Sequence, residues 1–158
     1  MFDVGDRVVY PHHGAAMVVS RETREFNGEK TDYLCLKMAH GELMLWVPAC
    51  KADEVGMRPP ISHEEVEDLF DLLGKKDVRE PANWSRRFKN HQEKLKSGDV
   101  YQVAEVVRNL ALRDQSKGLS AGEKSMFVKA RGVLVSELSF ALEVSEDEAL
   151  DRAEQTLA

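Results

Sequence analysis

The chain reads as an α+β protein: a small antiparallel sheet, curled towards a barrel, followed by an all-α half of about five helices. Two observations predict this class. From residue 6 to 48 short β-rich runs alternate with turn signals, and from residue 62 onward the hydrophobic period becomes helical. A third places the join, because Pro59 and Pro60 remove two backbone donors and fix the chain direction between the two regimes. With 158 residues and 42% hydrophobic content, the chain can bury a core as one ordinary domain or as two small ones. The expected division is residues 1–58 and 59–158, with a short, stiff connection.

Four strands are expected in order. DRVVY runs into PHHG, AMVVSRETREF stops at Asn27-Gly28, TDYLCLKM stops at His40-Gly41, and ELMLWVP stops at Pro48. Asn-Gly between β-rich runs is a strong hairpin signal, since both central positions of a type I′ turn need positive φ. Consecutive hairpins make a meander. Alternation in YLCLK and LMLWV is imperfect, so side chains on both faces are buried, as in a tightly curled sheet with an open edge.

Four capping-box patterns then announce helices: Ser62 with Glu65, Asp99 with Gln102, Ser120 with Glu123, and Ser145 with Glu148. Gly74, Gly98 and Gly118 stand where a left-handed residue would end a helix. The predicted helices span about 63–73, 84–97, 100–116, 121–142 and 146–157. Val100, Val103, Ala104, Val107, Leu110 and Ala111 form one buried stripe. Met126, Ala130, Val133, Leu134, Leu138 and Leu142 form another, and the two should pack together.

Charge carries the functional signal. The formal net charge is -6, yet residues 75–132 hold fourteen Lys/Arg against seven Asp/Glu, leaving -13 elsewhere. Such polarity is the footprint of a chain that meets a phosphate backbone on one face. An acidic total makes binding to naked DNA weak, since that affinity comes from counterion release. A second binding surface that tethers the protein near DNA is therefore expected.

Trp84 opens the cationic run and has two readings. Spacing of Trp84, Phe88, His91 and Leu95 fits an apolar docking stripe, while its place in the first helical turn lets a large ring project outward. Arg86, Arg87 and Lys89 surround it, and at least two of them must face solvent. An aromatic plate beside phosphate anchors can stack on an exposed base or wedge at a base step. Lys124, Lys129 and Arg131 could continue the surface.

Other chemistry is not supported by the sequence. Neither His12 nor His13 has a partner at metal-ligand spacing, and turn formation accounts for PHHG. No catalytic motif is present, so no catalytic residue, metal, cofactor or small-molecule substrate is expected. Cys35 and Cys50 form no CxxC pair and read as structural, reduced thiols. Neither a membrane-length apolar run nor a signal peptide is seen, which gives a cytoplasmic expectation.

Four motifs in one order give a resemblance over nearly the whole chain: VGDRVVYPHHGAA, NWSRRFK, LKSGDVYQVAEVVRNL and GLSAGEKSMFVKAR. The chain resembles the CarD/CdnL family of bacterial RNA polymerase-binding transcription regulators, in its actinobacterial form. That resemblance implies a Tudor-like N-terminal barrel, shared with transcription-repair coupling factors, that binds the polymerase β subunit. It implies a C-terminal helical domain that meets promoter DNA at the upstream edge of the transcription bubble, and association with the nucleoid through polymerase. By position, Trp84 would be the wedge, with Arg86, Arg87 and Lys89 near the backbone. Arg24 matches an arginine implicated in polymerase contact, and Trp46 stands where actinobacterial relatives carry Arg. Trp46 either anchors the interface through its ring or turns inward to complete the barrel. The competing reading is a freestanding architectural nucleic-acid-binding protein, marked by strong, salt-sensitive binding to naked duplex.

Overall fold

The computed structural model describes residues 2–10, 13–39, 43–52, 54–76 and 80–157. The turn signals at Pro11-His12 and His40-Gly41 lie outside them. Strands β1 (Arg7–Tyr10), β2 (Gly14–Phe26), β3 (Glu29–Met38) and β4 (Met44–Pro48) form one antiparallel sheet in sequence order, the predicted meander. Asn27 and Gly28 both take positive φ, 53° and 81°, as a type I′ hairpin demands. A register shift between Val18 and Ser20 bulges β2 and tightens the twist, which curls the sheet. Its concave face encloses Val8, Ala16, Val18, Leu34, Leu36 and Val47, closed from below by Met57. The free edge of β1 is partly covered: Val9 N–H donates to the Arg58 carbonyl at 2.6 Å, and Arg58 N–H returns the bond at 3.2 Å.

Helices α1 (His63–Leu73), α2 (Trp84–Lys96), α3 (Val100–Ser116), α4 (Ala121–Leu142) and α5 (Glu146–Leu157) follow. The α+β class, with a curled antiparallel sheet followed by five α-helices among the described residues, is as the sequence predicts. Leu69 and Leu73 of α1, Val107 and Leu110 of α3, Leu134 and Leu138 of α4, and Ala149 and Ala153 of α5 share one apolar core. Each fully buried Leu is worth roughly 1.5–3 kcal/mol relative to exposure. α2 is different. Its fully buried residues are Arg87 and His91, and the partly buried Phe88 and Leu95 pack against the core, so polar contacts and a short apolar stripe together hold it to the bundle.

Caps follow the sequence with three exceptions. Ser62–Glu65 and Ser120–Glu123 are complete boxes, and Ser145 accepts from Glu148 N–H at 3.2 Å. Asp99 instead accepts from Tyr101 N–H at 2.9 Å, one position earlier than its box requires. Gly98 and Gly118 are left-handed at φ 76° and 78°, but Gly74 is right-handed at φ -78°. α4 ends on Glu143 at φ 57°, a left-handed residue with a full side chain.

α4 joins the two halves. Ser136 Oγ accepts from Ala15 N–H at 3.0 Å, and Arg7 Nη1 donates to the Phe140 carbonyl at 3.3 Å. Arg58 Nη1 and Nη2 reach Glu137 Oε2 and Oε1 at 2.7 and 2.8 Å.

Candidate nucleic-acid interface

The site is built at the N-terminal ends of α2 and α4, which lie side by side. Pro81 and Ala82 deliver the chain to Asn83, whose side chain accepts from Arg86 N–H at 3.0 Å and caps α2. Trp84 is therefore the first helical residue, where no preceding turn covers its ring. It is 44% exposed. Its indole stacks on Phe88, one turn later, with centroids 4.8 Å apart and planes 16° from parallel. Gly122 of α4 lies under this pair, where a Cβ would sit in ordinary contact, 3.5 Å from the Phe88 ring. The docking-stripe reading of Trp84 thus applies to Phe88, while Trp84 itself keeps an open face.

Glu123 fixes the indole from the other side. Trp84 Nε1 donates to Glu123 Oε1 at 3.3 Å, and the same carboxylate closes the Ser120 capping box. Glu123 Oε2 lies 3.5 Å from Arg87 Nε and 3.6 Å from Arg113 Nε. Burial works to raise the Glu123 carboxyl, but the Ser120 bonds, the Arg87 charge and the Trp84 bond together hold it below the ordinary glutamate range. Behind it, His91 Nε2 meets Glu80 Oε2 at 3.1 Å. Glu80 is also held low, because the His91 bond and the charges of His91, Arg87 and Arg113 outweigh its burial.

Arg87 must be corrected. Its residue is 2% exposed, and Nη1 donates to the Pro81 and Ala82 carbonyls at 3.4 and 3.5 Å. It points inward as counter-charge to Glu123 and is removed from any phosphate-facing set. Arg86 and Lys89 are exposed and carry no ion pair among the described residues. Lys124 and Lys129 are also exposed. Arg131 is half-buried, its guanidinium 5.4 Å from the Phe127 ring centroid and 3.9 Å from Glu154. Two residues beyond Lys129, and so about 200° round the helix, it faces α5 and not α2.

Glu123, Phe88 and Asn83 hold Trp84 and cap its helix, roles that the sequence reading did not assign. The capping box marked Glu123 as an N3 residue, but only the packing of α2 on α4 puts Trp84 within its reach.

On the sheet, Arg24 lies over the Trp46 ring, 4.3 Å from its centroid. Trp46 is 38% exposed and pairs across the ladder with Cys35, outside the concave core, so the inward alternative does not hold. Met17, Lys37 and Met44 are aligned across three strands on that same outer face, and Met17, Met44 and Trp46 leave an apolar patch in the open. Cys35 is buried, whereas Cys50 is exposed, which corrects the reading of both thiols as structural. His13 packs beside Tyr10 at 5.2 Å, its imidazole held below the usual value by burial and by the charge of Lys129. His12 lies outside the described residues. Among the described residues no three His, Cys, Asp or Glu side chains converge as metal ligands, and no helix is long and apolar enough to cross a membrane.

Residues 2–61 match the CarD-like/TRCF RID domain, and residues 68–154 match the CarD C-terminal domain. The chain belongs to the CarD-like family of transcription factors. Among its relatives is YdeB of Bacillus subtilis (strain 168), named as a candidate transcription factor. The two are 31% identical over 146 residues, which is 92% of this chain and 95% of YdeB. The solution NMR structure of the 72-residue N-terminal domain of Myxococcus xanthus CarD is 30% identical, covering 37% of this chain and 79% of that domain, with a TM-score of 0.33.

Proposed function

We propose that this protein regulates transcription initiation by holding the RNA polymerase β subunit with its sheet while its helical half supports the melted promoter. In this reading the outer face around Arg24 and Trp46 contacts polymerase. Trp84 wedges at the upstream edge of the bubble, and Arg86, Lys89, Lys124 and Lys129 follow the phosphate backbone. The observation that carries it is the held but open indole: Phe88 and Glu123 fix Trp84 at the start of a helix that also carries the exposed Arg86 and Lys89, in an otherwise acidic chain. A rigid plate loses little entropy on stacking, and the helix end adds partial positive charge.

A ligand shifts an equilibrium only through differential affinity, so the indole must prefer the fork to closed duplex. Stacking on a base is worth about 1–3 kcal/mol, which shifts the equilibrium towards the open state by roughly five- to 150-fold. Sequence readout is slight, and promoter choice rests with polymerase.

The test compares open-complex lifetime and capture of the β subunit for wild type, Trp84→Ala and Arg24→Glu. Trp84→Ala keeps capture and loses most of the stabilisation; Arg24→Glu loses both. Equal lifetimes with and without saturating wild-type protein would refute the proposal. Tight, salt-sensitive binding to naked duplex would favour a freestanding architectural protein instead.

A further inference from the structure

We infer that the groove between α2 and α4 is a binding site for one unpaired nucleotide, displaced at the fork. This rests on the reading of Trp84 as a wedge and goes beyond it by giving the displaced base a place to go.

The groove arises because the two helices do not close on each other along this side. α2 turns Arg87 and His91 towards the bundle, while its positions 88, 92, 95 and 96 form one wall at helical spacing. The opposite wall is built by positions 122, 125, 126 and 129 of α4, and it starts with two small residues, Gly122 and Ser125. Between them lies a cleft of about 440 Å³. Ligand sites of small molecules span roughly 300–1,000 Å³, so the space suits one nucleotide.

Its chemistry is that of an anion with a flat apolar body. Phe88, Leu95 and Met126 give an apolar lining, and Lys96 and Lys129 stand on opposite helices. Among the described residues no carboxylate lines the groove, in a chain of net charge -6. Gln92 and Ser125 offer donors and acceptors that can meet any base edge, which fits weak sequence preference.

Continuity with the wedge decides the occupant. Phe88 is shared: its ring stacks on Trp84 at 4.8 Å and also lines the groove. A base pushed out of the duplex by the indole therefore meets an aromatic edge one helical turn from the wedge, with Lys129 and Lys96 farther along the groove, about two and three turns on. An acidic peptide would match the lysines, but nothing brings it to Trp84.

The experiment titrates full-length protein, at low salt, into a fork DNA carrying 2-aminopurine at the first unpaired position, and into a blunt duplex of the same sequence. Wild type is expected to prefer the fork by about tenfold or more, within the range of base–aromatic stacking, with a change in 2-aminopurine emission. Ser125→Phe fills the groove from α4, and Gln92→Phe fills it from α2; both positions are exposed, so either can decide if the other misfolds. Each should remove most of the fork preference and the emission change while keeping duplex affinity within about twofold. Lys129→Gln should weaken fork binding and lower the salt slope by about one. A folded blocking variant with full fork preference overturns the groove; if Trp84→Ala loses that preference in the same assay, the wedge still stands. No fork preference in wild type sinks both. A 2-aminopurine signal unchanged at saturation sinks the groove alone.

Discussion

Arg58 grips Glu137 with both guanidinium nitrogens, at 2.7 and 2.8 Å, and the residue it grips is 1% exposed. The same carboxylate accepts from Ile61 N–H at 2.9 Å, and Arg58 also donates to the Gly98 carbonyl at 3.0 and 3.2 Å. Because Arg58 also pairs with Val9 through its backbone, one residue links the sheet edge, the linker and α4. Breaking a buried pair from one side strands a charge. Arg58→Met is predicted to cost about 3 kcal/mol, the low end for a buried pair because the arginine is partly exposed. Urea denaturation should show a lower midpoint, and the double variant Arg58→Met/Glu137→Met should recover most of the loss.

Acid should loosen the polar cluster that holds Trp84. Glu80 and Glu123 both titrate below the ordinary glutamate value, so the folded state binds fewer protons than the unfolded chain. Their contribution to stability is complete above that ordinary value, about pH 4.3, and is lost as pH falls through the depressed folded values. Urea midpoints measured from pH 7 down to 3 should decline over that window. Glu123→Gln should be less stable at pH 7 and show a shallower decline. An unchanged pH slope in Glu123→Gln would show that this carboxylate does not bear the linkage.

Gly14 is required where the sheet meets α4. Its φ is +89°, and a Cβ there would lie 2.7 Å from Ser136 Oγ, the atom that accepts from Ala15 N–H. Gly14→Ala thus combines backbone strain with a displaced hydrogen bond, and should cost roughly 1–3 kcal/mol. A thermal melt compared with Gly28→Ala, where a Cβ meets nothing within 4 Å, separates contact from strain alone.

The strands, the five helices and most caps were legible because each depends on local pattern: Asn27-Gly28 needs only its own φ values, and Ser62 needs only Glu65. Arg87 was not legible. On sequence it is one of three cations in a helical run, and its inward turn depends on Glu123, which is 36 positions away and reaches it only after α2 packs on α4. Trp46 stayed open for a similar reason, since its face depends on β-strand register against Cys35. Gly74 met the compositional rule for a left-handed stop, yet its N–H bonds back to the Phe70 carbonyl in right-handed geometry, and the chain leaves without reversing.

The left-handed end of α4 falls on Glu143, a residue type the rule does not anticipate. An L side chain in this conformation costs roughly 1–2 kcal/mol, part of which glycine avoids. Glu143→Gly is predicted to stabilise the protein by about 0.5–1 kcal/mol, while Gly118→Ala, at φ +78°, should destabilise it by a similar amount. Paired thermal melts check both signs.

Arg24 and Trp46 form the testable centre of the surface proposed to face polymerase. Residues directly opposite on an antiparallel ladder share a face, so Trp46 stands over Cys35, which is 1% exposed. Trp46→Ala should therefore do two separable things. It should weaken capture of the polymerase β subunit by about 2 kcal/mol or more, roughly 30-fold, as loss of an aromatic anchor does. It should also uncover the Cys35 thiol, so that a second cysteine reacts with a thiol reagent, whereas in wild type Cys50 reacts first and Cys35 slowly. Arg24→Glu should weaken capture while leaving Cys35 protected. If Trp46→Ala exposes Cys35 but binds the β subunit as wild type does, the ring is a lid on the sheet and the polymerase contact lies elsewhere.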